Sequence, residues 1–156
     1  MKIFKRIIGV LLLLFLLAQF FRPTLNNGKT NAVLPFVAET KPSKEVVKVL
    51  ETACFDCHSN ATNYPWYSNI TPVNFWMEDH IKEGKKELNF SDWSRYSIKK
   101  KEHKMEEVWE EVEQLKMPLD SYTWTHFDAK LSQVQIDKLV DWAKKMQKNY
   151  QNQLIN

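Results

Sequence analysis

Cysteine usage sets the first limit on this chain: its 156 residues hold two cysteines, Cys54 and Cys57, three positions apart. So close a pair cannot staple distant segments. A disulfide scaffold is excluded, and the fold has to be held by an apolar core, by a bound cofactor, or by both. The length leaves room for one compact domain with an appendage. Hydrophobic residues make up 44% of the chain, enough for a core, and only three residues are Gly. Six Trp within an aromatic content of 13% exceed what a core of this size needs, which points to something large and flat packed inside. The net charge of +3 is unevenly placed: Lys2, Lys5, Arg6 and Arg22 fall in the first 22 residues with no acid, leaving −1 on the remainder. Residues 23–156 lack the basic field that nucleic acid requires, so no nucleic-acid partner is expected.

Met1–Arg6 carries three positive charges, and Ile7–Phe21 is a fifteen-residue run with no charge and one polar side chain, Gln19. This is the pattern of an export signal or membrane anchor, over residues 1–22. Cleavage needs small residues before the cut, and Leu16-Leu17-Ala18 puts leucine at one of those positions, so an uncleaved anchor is favoured. The run is short for a spanning helix of roughly 20 residues, although Ile3, Phe4 and snorkelling of Lys5 and Arg22 extend it. The positive-inside rule keeps the N-terminus in the cytoplasm and places the rest of the chain in a periplasm, anchored to the cytoplasmic membrane, or secreted if the segment is cleaved.

Residues 23–42, with Pro23, Asn26-Asn27-Gly28 and no helical or strand periodicity, read as a tether, and residues 43–150 as the folded domain. In that domain Ser43 caps a helix running to Cys54, with Val46, Val47, Leu50 and Ala53 on one face. Thr71-Pro72 opens a second helix, with Val73, Trp76, Met77, His80 and Ile81 on one stripe and Gly84 as its stop. Ser97–Lys116 is a third, strongly charged helix with Ile98, Met105, Val108, Trp109, Val112 and Leu115 inward. Ser132 and Gln135 stand in capping-box register and open a fourth, which buries Ile136, Leu139, Val140, Ala143 and Met146. No stretch alternates as a strand. The expected class is all-α, a single domain without repeats.

Cys54-Phe55-Asp56-Cys57-His58 has the CxxCH form of covalent haem attachment. Two thiols three residues apart at a helix end point the same way and can add to two vinyl groups of one porphyrin as thioethers. The histidine that follows is held beneath the ring as the proximal iron ligand. The expected cofactor is one covalently attached haem c. A redox disulfide would place the motif after a strand in a βαβ unit, and no such unit is visible. Zinc would need a second ligand pair gathered from the scattered His80, His103 and His126.

A haem iron in an electron carrier takes a second axial ligand, Met or His. Met117 is the first choice: it precedes Pro118 in the loop between the third and fourth helices, 59 positions after His58. The Met-Pro loop and the following Asp141-Trp142-Ala143 resemble the distal-ligand region of small monohaem cytochromes c. His80, one turn from Trp76, is the principal rival and otherwise reads as a hydrogen-bonded core or haem-edge residue; His126 is the second and otherwise reads as a contact to a haem propionate. His103 stands in the charged run Lys99–Lys104 and reads as solvated, whereas Met77, Met105 and Met146 fall on apolar stripes and read as core. The group Tyr64–Tyr67 reads either as a wall for the porphyrin or as ordinary core. Three Asn-x-Ser/Thr sequons, at Asn60, Asn69 and Asn89, read as accidental.

The sequence resembles the small bacterial haem-binding domain family of exported, anchored proteins. The resemblance rests on Cys54–Asn60, Thr62–Tyr67, Ile70-Thr71-Pro72, Trp76, His80-Ile81, Gly84, Leu88–Trp93 and the stretch with Met117-Pro118, Tyr122 and His126, and covers most of residues 45–145. It implies a cytochrome c-like helical domain that binds haem through Cys54, Cys57 and His58. One departure is Met117-Pro118-Leu119, where related sequences tend to read Met-Pro-Pro. The function expected is single-electron transfer by a membrane-tethered cytochrome with redox partners in the periplasm or membrane and no catalysis of its own. The alternative is a haem-based sensor or ligand-binding module with an open or displaceable sixth site. A peroxidase is disfavoured because no distal Arg/His pair is evident.

Overall fold

The computed structural model describes residues 1–155, and among them the chain is all helical, as expected. The helices are α1 (Lys2–Ala18), α2 (Leu34–Thr40), α3 (Lys44–Ala53), α4 (Phe55–His58), α5 (Val73–Glu87), α6 (Ile98–Glu113), α7 (Asp120–Thr123) and α8 (Gln133–Ile155). Short 3-10 turns cover Thr30–Val33, Trp66–Asn69, Phe90–Arg95 and Phe127–Ala129. Serine caps start three of the helices. The Ser43 hydroxyl accepts from the Val46 amide at 3.3 Å, and Ser97 accepts from the Lys100 amide at 3.2 Å. Ser132 and Gln135 form the expected reciprocal box, the Ser132 amide donating to Gln135 Oε1 at 2.9 Å and the Gln135 amide to Ser132 Oγ at 3.4 Å. Each cap satisfies amides that a helix start leaves without a partner.

The long helices α6 and α8 pack side by side and run antiparallel, since Lys144 reaches Glu113 while Gln151 reaches Glu102. Met105 and Val112 from α6, and Ile136, Leu139, Val140, Ala143 and Met146 from α8, are buried between them and α3. A second part of the core is aromatic. Phe36 lies 4.5 Å from the Phe90 ring centre, 5.1 Å from Trp93 and 6.0 Å from Trp142. Burying rings in tilted and edge-on contacts adds to the apolar transfer free energy, so this cluster is a major source of stability.

Four expectations about the elements need correction. The stretch read as a tether carries α2, and Phe36 is fully buried at the centre of the aromatic cluster. Its lack of obvious periodicity reflects shortness: a seven-residue helix shows barely two turns of pattern. Gly84 does not stop its helix, which continues to Glu87 because Gly84 serves a packing role described below. The same helix starts at Val73 with Pro72 as N-cap, one residue later than read. Leu115 is exposed, because α6 ends at Glu113 and the backbone turns through a left-handed conformation at Leu115. Within α6, Lys101 and Lys104 are buried and matched by Glu39 and Glu107, while His103 stays exposed as expected.

None of the residues of α1 is buried, and its apolar side chains face solvent all round. Among the described residues no helix is long and apolar enough to cross a membrane. Beyond α1 the chain is bonded to the domain. Gln19 exchanges two hydrogen bonds with the Thr71 backbone at 3.0 and 3.1 Å, and Arg22 donates to the Asn69 carbonyl. Asn26 donates through its side chain to the Ser59 carbonyl and the Thr62 hydroxyl, both at 2.9 Å. The Gly28 amide meets the Asn60 carbonyl at 2.6 Å, an approach that a side chain at position 28 would block.

Candidate functional site

The Cys-His motif lies where α3 breaks. Cys54 still donates its amide to the Leu50 carbonyl at 3.1 Å, but its backbone leaves helical geometry, and the chain restarts as the single turn α4. Both cysteines are free thiols. Desolvation, with the neighbouring Cys57 second, pushes the Cys54 thiol up to about 12; desolvation and then Asp56 push Cys57 up to about 11. They are therefore thiols rather than thiolates in the folded chain, and among the described residues no His, Cys, Asp and Glu gather into a metal-holding group of three. The zinc reading finds no ligand set there.

His58 is oriented by its backbone surroundings. Its Nδ1 lies 3.0 Å from the Leu88 carbonyl, which makes Nδ1–H the donor and leaves the Nε2 lone pair free to ligate. Burial, only partly countered by the Leu88 and Gly84 carbonyls, holds the imidazole below its ordinary 6.5, so the ring is neutral at physiological pH. Gly84 lets α5 approach this turn: a Cβ there would lie 3.0 Å from the Cys57 carbonyl oxygen and 3.1 Å from Cys57 Cβ.

Asp56, the residue between the cysteines, ties the motif to its surroundings. Its carboxylate accepts from the Asn63 amide at 2.9 Å and from the Tyr122 hydroxyl at 2.8 Å. Burial, then the Asp56 charge, raises the Tyr122 hydroxyl above the ordinary phenol range, so it acts as a donor. The loop bearing Met117 is thereby fastened to the motif.

Two cavities flank His58. One, about 290 Å³, is lined by Leu50, Cys54, Phe90, Val108, Val112 and Met117 among others, and the second, about 180 Å³, by Cys57, His80, Gly84, Met117, Pro118 and Tyr122 among others. Met117 and His58 line both; His80 lines only the second, and His126 neither. His126 instead stacks on Tyr122 with ring centres 4.0 Å apart, its Nδ1 3.0 Å from the Tyr122 carbonyl.

The structure thus brings Cys54, Cys57, His58 and Met117 together around one pair of cavities. The donor set fits a haem: a free imidazole nitrogen, two thiols on the same turn, a thioether sulfur nearby, and apolar walls between them. The Tyr64–Tyr67 group is not a wall of these cavities: Trp66 is exposed, and the Tyr64 hydroxyl accepts from the Asn26 amide at 2.8 Å. The wall is Phe90, whose ring centre lies 6.3 Å from that of His58. Sequence reasoning missed Phe90, Leu88 and Asp56 as site residues. Only Asp56, inside the motif, carried a local signal.

Residues 13–145 match a family described as a haem-binding domain. No curated protein and no solved structure matches the chain.

Proposed function

Because the chain belongs to the haem-binding domain family, we propose that it carries one haem c, bound through Cys54, Cys57 and His58, and works as a single-electron carrier seated on a membrane. Each thiol would add across one vinyl group, S–H to C=C, so that attachment needs no oxidant and leaves two thioethers. His58 would ligate iron through Nε2, with Leu88 fixing the ring and its tautomer. Haem, when bound, supplies one-electron oxidation and reduction of iron, and the protein sets potential and access.

The observation that carries the carrier reading is that Met117 lines both cavities beside His58. Its thioether would be the second protein group to hold the iron, and Met in that role raises the potential relative to His. The exposed apolar surface of α1 supports a seat in lipid, since a patch of that extent is rarely left in water. The charged start at Lys2, Lys5 and Arg6 ahead of an apolar run also has the form of an export signal, which supports a domain exported from the cytoplasm.

The test is an optical spectrum of the haem-loaded protein. A low-spin spectrum with a methionine–iron charge-transfer band is expected, and Met117→Ala should turn it high-spin and open to CO. A wild-type spectrum that is already high-spin and CO-sensitive would instead favour a sensor. Cys57→Ser should leave haem on a single thioether, read as a mass and a shifted reduced band after denaturation.

A further inference from the structure

A third cavity, of about 360 Å³, lies between α5 and the loop around α7, with Tyr67, Trp76, Met77, His80, Trp124 and His126 among its walls. Asp56, Cys57, His80, Leu119 and Tyr122 line both this cavity and the smaller of the two beside His58, whereas it shares no lining residue with the 290 Å³ cavity. The walls are flat and apolar, with few polar groups, which is the make-up of a small-molecule site. Among the polar side chains on its lining are two imidazoles, His80 from α5 and His126 from the loop after α7. His80 has Nδ1 2.8 Å from the Trp76 carbonyl, and His126 has Nδ1 3.0 Å from the Tyr122 carbonyl. In each ring the carbonyl takes the Nδ1 proton, so Nε2 is the acceptor. The Tyr67 hydroxyl, which donates to Thr125 Oγ1 at 2.8 Å, lies 3.5 Å from His126 Nε2.

The cavity also stands next to the end of α1. Gln19 and Arg22 are bonded to Thr71 and Asn69, and these residues join the wall residue Tyr67 to the wall residues Val73 and Trp76. Trp76 and Trp124 are 48% and 72% exposed, and Phe20 and Phe21 follow α1 at 84% and 67%. Exposed Trp side chains of this kind collect at the level of lipid headgroups.

The geometry points to this cavity as the binding site of the ring of a lipid-soluble hydroquinone, the electron donor to the haem. The inference rests on the carrier reading above. A hydroquinone has a flat ring for the Trp and Met walls and two opposed hydroxyls for the two imidazoles. Its oxidation to quinone releases two electrons and two protons. The electrons leave one at a time to ferric haem, which a soluble one-electron acceptor reoxidises between them, and the protons pass to Nε2 of His80 and His126.

The experiment uses the full haem-loaded chain in nanodiscs, titrated calorimetrically with a short-tailed benzoquinone, with stopped-flow reduction by the corresponding hydroquinone. Saturable binding is expected, weakened at least about tenfold in a His80→Gln/His126→Gln double variant and abolished when Met77→Trp fills the cavity, with the haem spectrum unchanged in Met77→Trp. Haem reduction should saturate with hydroquinone in the wild type and lose saturation in Met77→Trp. No saturable binding, binding indifferent to both variants, or binding without haem reduction would overturn the inference while leaving the haem site standing. A chain that binds the quinone but takes up no haem would overturn the carrier reading and, with it, the donor role.

Discussion

Gly84 shows how one missing carbon positions the site. Its bare backbone lets α5 lie against Cys57, and the same contact delivers the Leu88 carbonyl to His58 four residues later. A methyl group at position 84 improves helix propensity by about 1 kcal/mol but meets backbone held by the Asp56 hydrogen bonds, and overpacking costs about 1–3 kcal/mol. Gly84→Ala should therefore lose about 1 kcal/mol in a denaturant titration, and its haem should load less completely; unchanged stability would mean that α5 slides away freely. Tyr122 acts at the same scale. Tyr122→Phe removes one of the two partners of the Asp56 carboxylate, and a hydrogen bond to a charged group contributes about 1.5–3 kcal/mol. The expected readout is that loss of stability together with a weakened methionine–iron band, because the Met117 loop is released from the motif.

Among the elements, α2 decides where the domain begins. Truncating its central ring, Phe36→Ala, empties a site enclosed by Phe90, Trp93 and Trp142, and should cost about 3–5 kcal/mol by chemical denaturation. A variant as stable as the parent would return residues 23–42 to the status of a tether. The preceding segment, Gln19–Gly28, is held by hydrogen bonds to the loop after the Cys-His motif, so α1 leaves the domain from a fixed point. Domain orientation at a membrane would follow from that attachment, which a free linker would not provide.

Across the whole molecule, one polar network ties α2, α6, α8 and the turn at Trp93 together. Lys101 Nζ donates to both Glu39 oxygens at 2.8 Å, Tyr150 donates to Glu39 Oε1 at 2.7 Å, and Trp93 Nε1 reaches the Tyr150 hydroxyl at 3.3 Å. Burial resists ionisation of Glu39, but the Lys101 and Tyr150 hydrogen bonds outweigh it and hold the carboxyl below its ordinary 4.5. A depressed folded-state pKa stabilises fully above the unfolded value, and that stability is lost as pH falls through the folded one. The protein should thus lose melting temperature below about pH 4.5. Glu39→Gln should melt lower at neutral pH and converge on the wild type in acid, and parallel melting curves would exclude this network as a source of acid sensitivity.

The chemistry was written locally. Two thiols and a histidine within five residues, three serine caps and the 3.6-residue apolar stripes of α6 and α8 are all set by neighbours in the chain, so the cofactor motif and the all-α class were legible before any coordinates. Met117 was readable as a loop methionine before a proline, but that it shares both cavities with His58 while His126 lines neither is a matter of tertiary packing. Phe36, Leu88 and Phe90 were not legible as partners, because their contacts join segments far apart in sequence. Gly84 was misread for the same reason. A glycine near a helix end signals a stop when only the chain is considered, and the need for close approach to Cys57 exists only once α5 and the motif are packed together.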